Sequence, residues 1–199
     1  MITIIDYAIN NLHSVANAFR SLRIPTEITQ DARRIQGAQK LVLPGVGAFG
    51  DAMNNLRAKN LLELLQKKVE SGTPLLGLCL GLQLLFTESE EFGSVSGLDI
   101  IQGRVKKLPV NVQVPHIGWN QLRLLKSDPL LEGVAEGSFV YFVHSFYATP
   151  VNFGHVLATT DYGIEFTAMT RKGNVWATQF HPEKSQDVGL NILRNFASL

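Results

Sequence analysis

The single cysteine of this chain, Cys79, lies where a reactive thiol is expected. It stands in segment 77–83, with the sequence Gly-Leu-Cys-Leu-Gly-Leu-Gln, directly after an apolar run that begins at Pro74. Glycines on both sides of a cysteine, where a strand pattern ends and a helix pattern begins, predict the sharp turn called a nucleophile elbow. Most free cysteines are small buried hydrophobes, but this setting favours a nucleophile.

A histidine and a glutamate follow far along the chain, in segment 179–183 with the sequence Gln-Phe-His-Pro-Glu. A histidine that ends a strand is by itself more often structural than catalytic. Combined with an elbow cysteine, His181 becomes the candidate general base and Glu183 the group that orients its imidazole. Glu183 could also serve as an acidic residue at the start of a helix near Ser185. Together these residues predict acyl-transfer chemistry on a thiol.

A glycine-rich loop, segment 45–50, formally matches the Gly-x-Gly-x-x-Gly pattern of dinucleotide-binding proteins. That pattern belongs to the first strand–helix unit, and an acidic residue should end the next strand about 20 residues later. Here the intervening stretch has a helical pattern, the next strand ends at Cys79, and Pro44 lies in the turn. We therefore expect this loop to present a backbone N–H to a developing oxyanion.

His116 and His144 are polar residues in apolar surroundings. Both a structural hydrogen-bonding role, which is the more common one, and a catalytic role are open for them. None of the five histidines has zinc-ligand spacing to another histidine or to Cys79. We therefore expect no metal, and no cofactor is predicted.

The composition is that of an ordinary globular protein. Of the 199 residues, 45% are hydrophobic and 18% charged, which argues against disorder. A net charge of +1 without a basic block argues against nucleic acid or an anionic membrane as partner. The apolar stretch 74–86 is shorter than the roughly 20 residues that span a bilayer, and the N-terminus lacks the basic start of a signal peptide. With one cysteine and hence no internal disulfide, these features predict a soluble cytoplasmic protein.

Strand and helix patterns alternate in the first half of the chain. Short apolar strand patterns occupy residues 2–5, 26–29, 40–43 and 74–78. Helical periodicity runs from Leu12 to Leu22 and from Asp51 to about Val69. The alternation predicts an α/β fold with a mostly parallel central sheet flanked by helices. Ligands of such sheets lie beyond the carboxyl ends of the strands, where Cys79 and segment 45–50 are expected.

The second half has a different character. Its strand patterns occupy residues 100–108, 138–143, 155–159, 166–170 and 174–179. Turn residues at 161–163 and 171–174 separate the last three. We expect an additional antiparallel sheet attached to the parallel one, and a final helix with Val188, Ile192 and Phe196 on one face.

Taken together, these motifs resemble the class I (triad) glutamine amidotransferases. Within that family, segments 43–50, 115–120 and 141–145 are similar to the glutaminase subunits of imidazole glycerol phosphate synthases. The similarity extends from Asp6 to Ser185 and implies one amidotransferase domain over residues 1–199, with the fold of that class.

The resemblance implies a reaction. Cys79 would attack the side-chain amide of L-glutamine, and His181, oriented by Glu183, would take the thiol proton and give it to the departing ammonia. Water would then hydrolyse the thioester to glutamate.

The resemblance also implies two further parts of the site. The oxyanion hole would comprise the backbone N–H groups of Leu80 and of Val46 or Gly47. The amino-acid end of glutamine would be held by residues of three segments, namely Gly45, Gln83, Ser145 and Phe146.

A partner follows from the same resemblance. Ammonia would pass to a separate (β/α)8-barrel synthase (cyclase) subunit in a heterodimer, which forms imidazole glycerol phosphate and an aminoimidazole carboxamide ribotide. The residues expected at the interface are Trp119, Asn120, Tyr141 and Lys184, since aromatic residues are frequent anchors and a lysine can pair with an acid. Alternatively, Trp119 and Tyr141 could be core aromatics.

One segment departs from the family pattern. Residues 6–12, Asp-Tyr-Ala-Ile-Asn-Asn-Leu, have Ala8 and Asn10 at the positions of two usual glycines. Asn10 can adopt a left-handed conformation, whereas Ala8 does so poorly. We expect the effect at the neighbouring strand that carries the oxyanion donor.

Other functions are open at the level of sequence. The chain could serve a paralogous synthase, because substrate choice resides in the partner. It could be a non-catalytic activating scaffold, against which the intact triad argues. It could also be a stand-alone hydrolase of γ-glutamyl bonds, which the Trp119-Asn120 motif disfavours.

Overall fold

An eight-stranded mixed sheet forms the centre of the computed structural model, which describes residues 1–8 and 11–199. The strands in chain order are β1 (Ile2–Ile5), β2 (Thr26–Thr29), β3 (Leu41–Leu43), β4 (Leu75–Leu78), β5 (Phe86–Ser89), β6 (Val95–Ser96), β7 (Ile101–Lys107), β8 (His116–Gln121), β9 (Arg123–Leu124), β10 (Phe139–His144), β11 (Phe146–Pro150), β12 (Val156–Asp161), β13 (Glu165–Lys172) and β14 (Val175–Thr178). The helices are α1 (Leu12–Ser21), α2 (Ala32–Gly37), α3 (Phe49–Ala58), α4 (Leu62–Glu70), α5 (Leu80–Leu84) and α6 (Gln186–Ser198).

The parallel part of the sheet has the order β2-β1-β3-β4-β14. Its inner strands are buried on both faces, since β1 directs Ile5 to one hydrophobic cluster and Ile4 to the other. Helix α6 covers the second face with Ile192 and Phe196, while Val188 packs against it partly buried. The predicted α/β fold with a mostly parallel central sheet is confirmed.

The antiparallel part continues the same sheet as β14-β13-β12-β9. The predicted meander is thus confirmed for the last three strands. The strand patterns at 100–108 and 138–143 belong elsewhere, because β7 pairs with β5 and β11 in a four-stranded sheet and β10 pairs with β8. Strand β8 was not predicted from the sequence because Gly118 and Asn120 are poor strand formers.

One helix prediction requires correction. The single helix expected from Asp51 to Val69 is two helices, α3 and α4, because Asn60 adopts a left-handed conformation with φ 55° and interrupts the helical backbone. The helix expected after Cys79 is present as α5, which has five residues and is followed by β5 at Phe86. Helix α2 was not predicted, since its six residues are too few for a periodic pattern.

The register of the central strands determines where the site forms. Strand β4 lies between β3 and β14, with Gly77 paired to Leu43 and Leu78 paired to Thr178. Because parallel strands end at the same edge, the residues that follow β3, β4 and β14 meet there. Throughout residues 1–8 and 11–199, no helix is long and apolar enough to cross a membrane.

Candidate active site

The backbone turns sharply at Cys79, directly after β4. Cys79 has φ 53° and ψ −106°, a conformation that costs free energy in a residue with a side chain. A Cβ atom at Gly77 would lie 2.8 Å from the Gly81 carbonyl oxygen, and one at Gly81 would lie 1.8 Å from that of Leu43. Both flanking glycines are therefore required by close backbone contact, as the elbow motif predicts.

His181 reaches the same edge from the neighbouring strand. After β14 the chain passes through Gln179 and Phe180, and Pro182 starts a 3-10 turn over Pro182–Lys184. This tight turn brings Glu183 back to His181, so that Nδ1 of the imidazole lies 2.8 Å from Oε1 of the carboxylate. Both side chains are at least 99% shielded from solvent, with exposed fractions of 1% and 0%.

The charges of this cluster shift its titration. Burial lowers the pKa of His181, but a Cys79 thiolate and the Glu183 carboxylate outweigh burial and raise it to about 10. Burial raises the pKa of Glu183, but the hydrogen bond and charge of His181 outweigh it and lower the pKa overall. Among the described residues, Nε2 of His181 has no hydrogen-bond partner. It is therefore free to exchange a proton with a thiol or a leaving group.

A second group holds the Glu183 carboxylate. The side-chain amide of Asn11 donates to Oε1 of Glu183 at 2.5 Å, the same oxygen that bonds His181. No role for Asn11 was predicted, although it follows the altered glycine positions. Ala8 adopts the left-handed conformation with φ 64° that suits it poorly, at a cost of about 1–2 kcal/mol. Asn10 lies outside the described residues.

The glycine-rich strand after β3 contacts the elbow in one particular orientation. The Gly45 carbonyl oxygen accepts from the Leu80 N–H at 3.3 Å. Because the peptide is planar and trans, the Val46 N–H points away from Leu80. The two expected oxyanion donors therefore do not converge in this structure. The Tyr7 hydroxyl anchors the preceding residue by donating to the Pro44 carbonyl at 2.5 Å.

A cavity of about 310 Å³ opens beside the Cys79 thiol. Its lining includes the expected residues Val46, Gly47, Leu80, Gln83, Ser145 and Phe146. Gly45 lies behind this wall, where a Cβ atom would be 2.7 Å from the Tyr7 hydroxyl and 2.8 Å from Leu80 Cβ. The tertiary structure thus brings three distant segments around the thiol, with room for an amino acid.

Two glutamines connect the cavity wall to the thiol. Gln83 donates its amide N–H groups to the Phe146 carbonyl at 2.9 Å and to Oε1 of Gln179 at 3.2 Å. Gln179, which is fully buried, directs its own amide nitrogen to Cys79 Sγ at 3.8 Å. The sequence reading included Gln179 in its motif without a role, and the contact with the sulfur arises from β14 lying beside β4.

Glu91 is a charged lining residue that the sequence reading missed. Its Oε2 accepts from the Phe49 N–H at 2.7 Å, at the first residue of α3. The helix N-terminus fixes this carboxylate at the cavity wall. Nothing in the local sequence around Glu91 distinguishes it from a surface acid.

The residues expected at a partner interface lie mainly on the two-stranded ribbon of β8 and β10. Trp119 is 45% exposed and pairs in register with Tyr141, their ring centroids being 5.9 Å apart. Lys184 places its ammonium 5.8 Å from the Tyr141 ring centroid. Ile117 and Phe139 on the same ribbon are also exposed. Trp119 is therefore not a core aromatic.

Asn120 differs from the other expected interface residues. Its amide nitrogen donates to the Asp161 carbonyl at 2.8 Å, and its oxygen accepts from the Gln121 N–H at 2.8 Å. The side chain thus uses hydrogen bonds to its own chain, and this contact joins β8 to the end of β12.

Comparison with known proteins gives a consistent result. Residues 3–198 match the family model described as glutamine amidotransferase class-I. The chain is 51% identical to an imidazole glycerol phosphate synthase subunit HisH from Syntrophotalea carbinolica, over 100% of both chains. It is 52% identical to a subunit of the same name from Methanothermobacter thermautotrophicus, over 100% of this chain and 98% of that one.

Solved structures share the fold at lower identity. A crystal structure of a glutamine amidotransferase matches with a TM-score of 0.78 and 22% identity, over 100% of both chains. PurLQS from Thermotoga maritima also matches with a TM-score of 0.78, at 15% identity, over 99% of this chain and 97% of that one.

Within the described residues, no group of three His, Cys, Asp or Glu side chains could hold a metal ion.

Proposed function

This chain belongs to the class-I glutamine amidotransferase family, and from that premise we propose that it is the glutaminase subunit of an imidazole glycerol phosphate synthase. The proposal is carried by one observation: a buried Cys79, His181 and Glu183 cluster in a chain that is half identical, over its full length, to subunits of that name. In this role it hydrolyses glutamine for histidine biosynthesis.

The chemistry follows from the cluster. Cys79 attacks the amide carbon of glutamine, and its proton resides on His181, whose raised pKa favours the imidazolium. The imidazolium protonates the amide nitrogen of the tetrahedral intermediate as its C–N bond breaks, so that ammonia leaves and a thioester remains on Cys79. His181 then removes a proton from water, and hydroxide attack releases glutamate. Glu183 orients the imidazole throughout and stabilises its charge.

The cavity supplies groups for the rest of the substrate. Glu91 presents a carboxylate suited to the α-ammonium group of glutamine. The backbone around Ser145 and Phe146 supplies the opposite wall for its α-carboxylate, and Gln83 braces that wall through the Phe146 carbonyl. Zwitterion recognition of this kind places the amide end at the thiol.

The oxyanion hole is the part that must change for catalysis. In the described orientation the Gly45 carbonyl occupies the Leu80 N–H, so a developing oxyanion would meet a carbonyl oxygen. Rotation of the Gly45–Val46 peptide by about 180° turns the Val46 N–H inward and frees that of Leu80, with the planar peptide moving as a unit. The rotation changes ψ of Gly45 and φ of Val46, and Gly45, which lacks a Cβ atom, tolerates the new ψ. The chain alone is then an idle glutaminase.

The partner is a (β/α)8-barrel synthase subunit that receives the ammonia. The ribbon face with Trp119, Tyr141, Ile117 and Phe139, next to Lys184, is the docking surface, because exposed aromatic and aliphatic side chains with a neighbouring cation are typical of interface cores. Docking favours the rotated Gly45–Val46 peptide through contacts made in that state alone.

The test compares the isolated chain with the complex. Glutamate release by the purified chain is expected near background, and it should rise steeply when the barrel synthase and its nucleotide ligand are added. Equal turnover with and without synthase would contradict the idle state and leave the triad standing. No glutamate release under either condition would contradict the proposed function.

A further inference from the structure

Two buried histidines stand next to the cavity and take no part in the chemistry above. His116 lies on β8 and His144 at the end of β10, paired in register, with exposed fractions of 3% and 6%. Nδ1 of His116 lies 3.0 Å from Nε2 of His144, and Nδ1 of His144 lies 2.9 Å from the Phe146 carbonyl oxygen. His144 itself lines the cavity.

The hydrogen positions of this pair follow from its partners. A carbonyl oxygen can accept and cannot donate, so Nδ1 of His144 carries a proton. Burial lowers the pKa of His144 to about 3 and that of His116 to about 4, so both rings are neutral at pH 7. The bare Nε2 of His144 must then accept from Nδ1–H of His116. The hydrogen bonds consequently run in one direction, from His116 through His144 to Phe146.

The Phe146 carbonyl is where this relay meets the glutamine site. Its oxygen accepts from His144 at 2.9 Å and from the Gln83 amide at 2.9 Å, so both of its lone pairs are used. The position of Gln83 in the cavity wall therefore depends on the direction in which this carbonyl points. Removing the histidine donor would leave the Phe146 carbonyl oxygen with one of these two hydrogen bonds, the one from Gln83.

The surroundings of the two histidines are aromatic, so hydrogen bonding by the imidazole nitrogens is what distinguishes them from apolar rings at these positions. His116 is stacked between Phe142 and Tyr162, with ring centroids at 4.9 and 3.9 Å, and His144 lies 5.0 Å from the Phe166 ring. An apolar aromatic ring would suit such a site without the cost of burying imidazole nitrogens. The imidazoles add a fixed donor for Phe146 that a phenyl ring lacks.

We infer, on the premise that the cavity binds glutamine, that His116 and His144 are positioning residues that lock the Phe146 carbonyl, and through it Gln83, into the glutamine-binding wall. His144 acts directly on the carbonyl, and His116 acts through His144 by fixing its tautomer and ring orientation. Neither ring exchanges a proton with the reacting atoms, so their effect falls on glutamine binding.

The test uses amide side chains as positional substitutes for each imidazole nitrogen. In His144→Asn the side-chain amide nitrogen takes the place of Nδ1 and can still donate to Phe146. In His144→Gln the amide lies at the place of Nε2, and the donor to Phe146 is lost. Each variant is assayed as the complex with the synthase subunit, measuring kcat and KM for glutamine, with thermal unfolding as a check on folding.

The two amide variants of His144 should differ in their KM for glutamine. His144→Gln should raise KM roughly tenfold, equivalent to about 1.4 kcal/mol, because the Phe146 carbonyl loses one of its two hydrogen bonds. His144→Asn should raise KM clearly less, and kcat should change less than KM in both. Equal KM values for the two amide variants, whether raised or unchanged, would overturn the inference.

A second pair of variants, at His116, tests the inference if a His144 variant does not fold. His116→Asn retains a donor at the Nδ1 position, and His116→Gln does not, so the same order of KM values is expected with a smaller spread. KM values that are equal for the two His116 variants, or higher in His116→Asn, would contradict the inferred role of His116. Failure of the proposed function is distinguishable, since in that case the wild-type complex itself would release no glutamate.

Discussion

At the scale of single residues, the site is a balance of burial and charge around His181. Burial alone would keep its imidazole neutral, yet the pKa is raised to about 10 by the Cys79 thiolate and the Glu183 carboxylate on its two sides. Asn11 adds a hydrogen bond to the carboxylate oxygen that holds the imidazole. Each partner therefore has a separate effect that a substitution can isolate.

The nucleophile gives the clearest prediction. Cys79→Ala should abolish glutamine-dependent synthesis by the complex, because no thioester can form, and leave ammonia-dependent synthesis intact, because the synthase subunit is unchanged. Both rates are measured on the same complex, with free ammonium as the alternative nitrogen source. Retained glutamine turnover in this variant would contradict the covalent mechanism.

Loss of the base should lower kcat more than loss of the group that orients it. His181→Asn removes proton transfer and should lower kcat by about 10²–10⁴-fold. Glu183→Gln keeps the base and should cost less, while lowering the pKa of His181 because the neighbouring negative charge is gone. Steady-state kinetics give the first comparison, and a histidine NMR titration gives the second. The exposed Glu63→Gln is a matched control; equal losses for His181→Asn and Glu183→Gln would contradict this division of roles.

At the scale of elements, three adjacent strand ends and one ribbon build the machinery. The order β3-β4-β14 places the glycine strand, the elbow and the histidine side by side. On the ribbon of β8 and β10, Trp119 and Tyr141 face outward while His116 and His144 face the core. The same short element thus adjoins both the proposed docking surface and the proposed glutamine cavity.

This two-sided ribbon leads to a prediction about docking. Trp119→Ala should weaken binding to the synthase by about 30-fold or more, since truncation of an aromatic hot spot typically costs at least about 2 kcal/mol. It should leave the thermal unfolding midpoint nearly unchanged, because Trp119 is 45% exposed. Affinity is measured by titration calorimetry.

The control for this experiment is Phe153→Ala. Phe153 is 63% exposed and lies in the turn before β12, whose far end at Asp161 contacts the ribbon. Its loss should leave affinity unchanged. Equal effects of the two substitutions would argue against the ribbon as the docking surface.

At the scale of the whole molecule, the buried histidines make stability depend on pH in opposite directions. The folded-state pKa values of His116 and His144, about 4 and 3, lie below the ordinary 6.5, so the unfolded chain binds more protons as pH falls below about 6.5. Keeping these two rings neutral therefore lowers the free energy of unfolding progressively as the pH falls from about 6.5 towards 3. The raised pKa of His181 contributes stability that is fully present below about 6.5 and lost as pH rises towards 10.

The free energy of unfolding should accordingly be highest near neutral pH and fall on both sides. Urea unfolding from pH 4 to 10 measures this free energy on the acid limb, below neutral pH, and on the alkaline limb, above it. The double variant His116→Asn, His144→Asn should flatten the acid limb, and Cys79→Ala should flatten the alkaline limb by removing the thiolate that favours the imidazolium. An acid limb unchanged in the double variant would contradict the assigned cause.

The sequence by itself determined the triad and the class of fold. Local chemistry sufficed there, since an elbow between glycines needs only its own neighbours, and apolar runs alternating with helical periodicity specify a parallel sheet. Strand β14 and helix α6 were also readable, because a buried strand and an amphipathic helix carry their patterns in adjacent residues.

The tertiary structure alone decided the features that depend on distant pairing. The pairing of β10 with β8 and the contacts of Asn11, Glu91 and Gln179 join parts of the chain that no local pattern connects. The orientation of the Gly45–Val46 peptide is the sharpest case. The sequence around Gly45 does not select an orientation, whereas the hydrogen bond between the Gly45 carbonyl and the Leu80 N–H does.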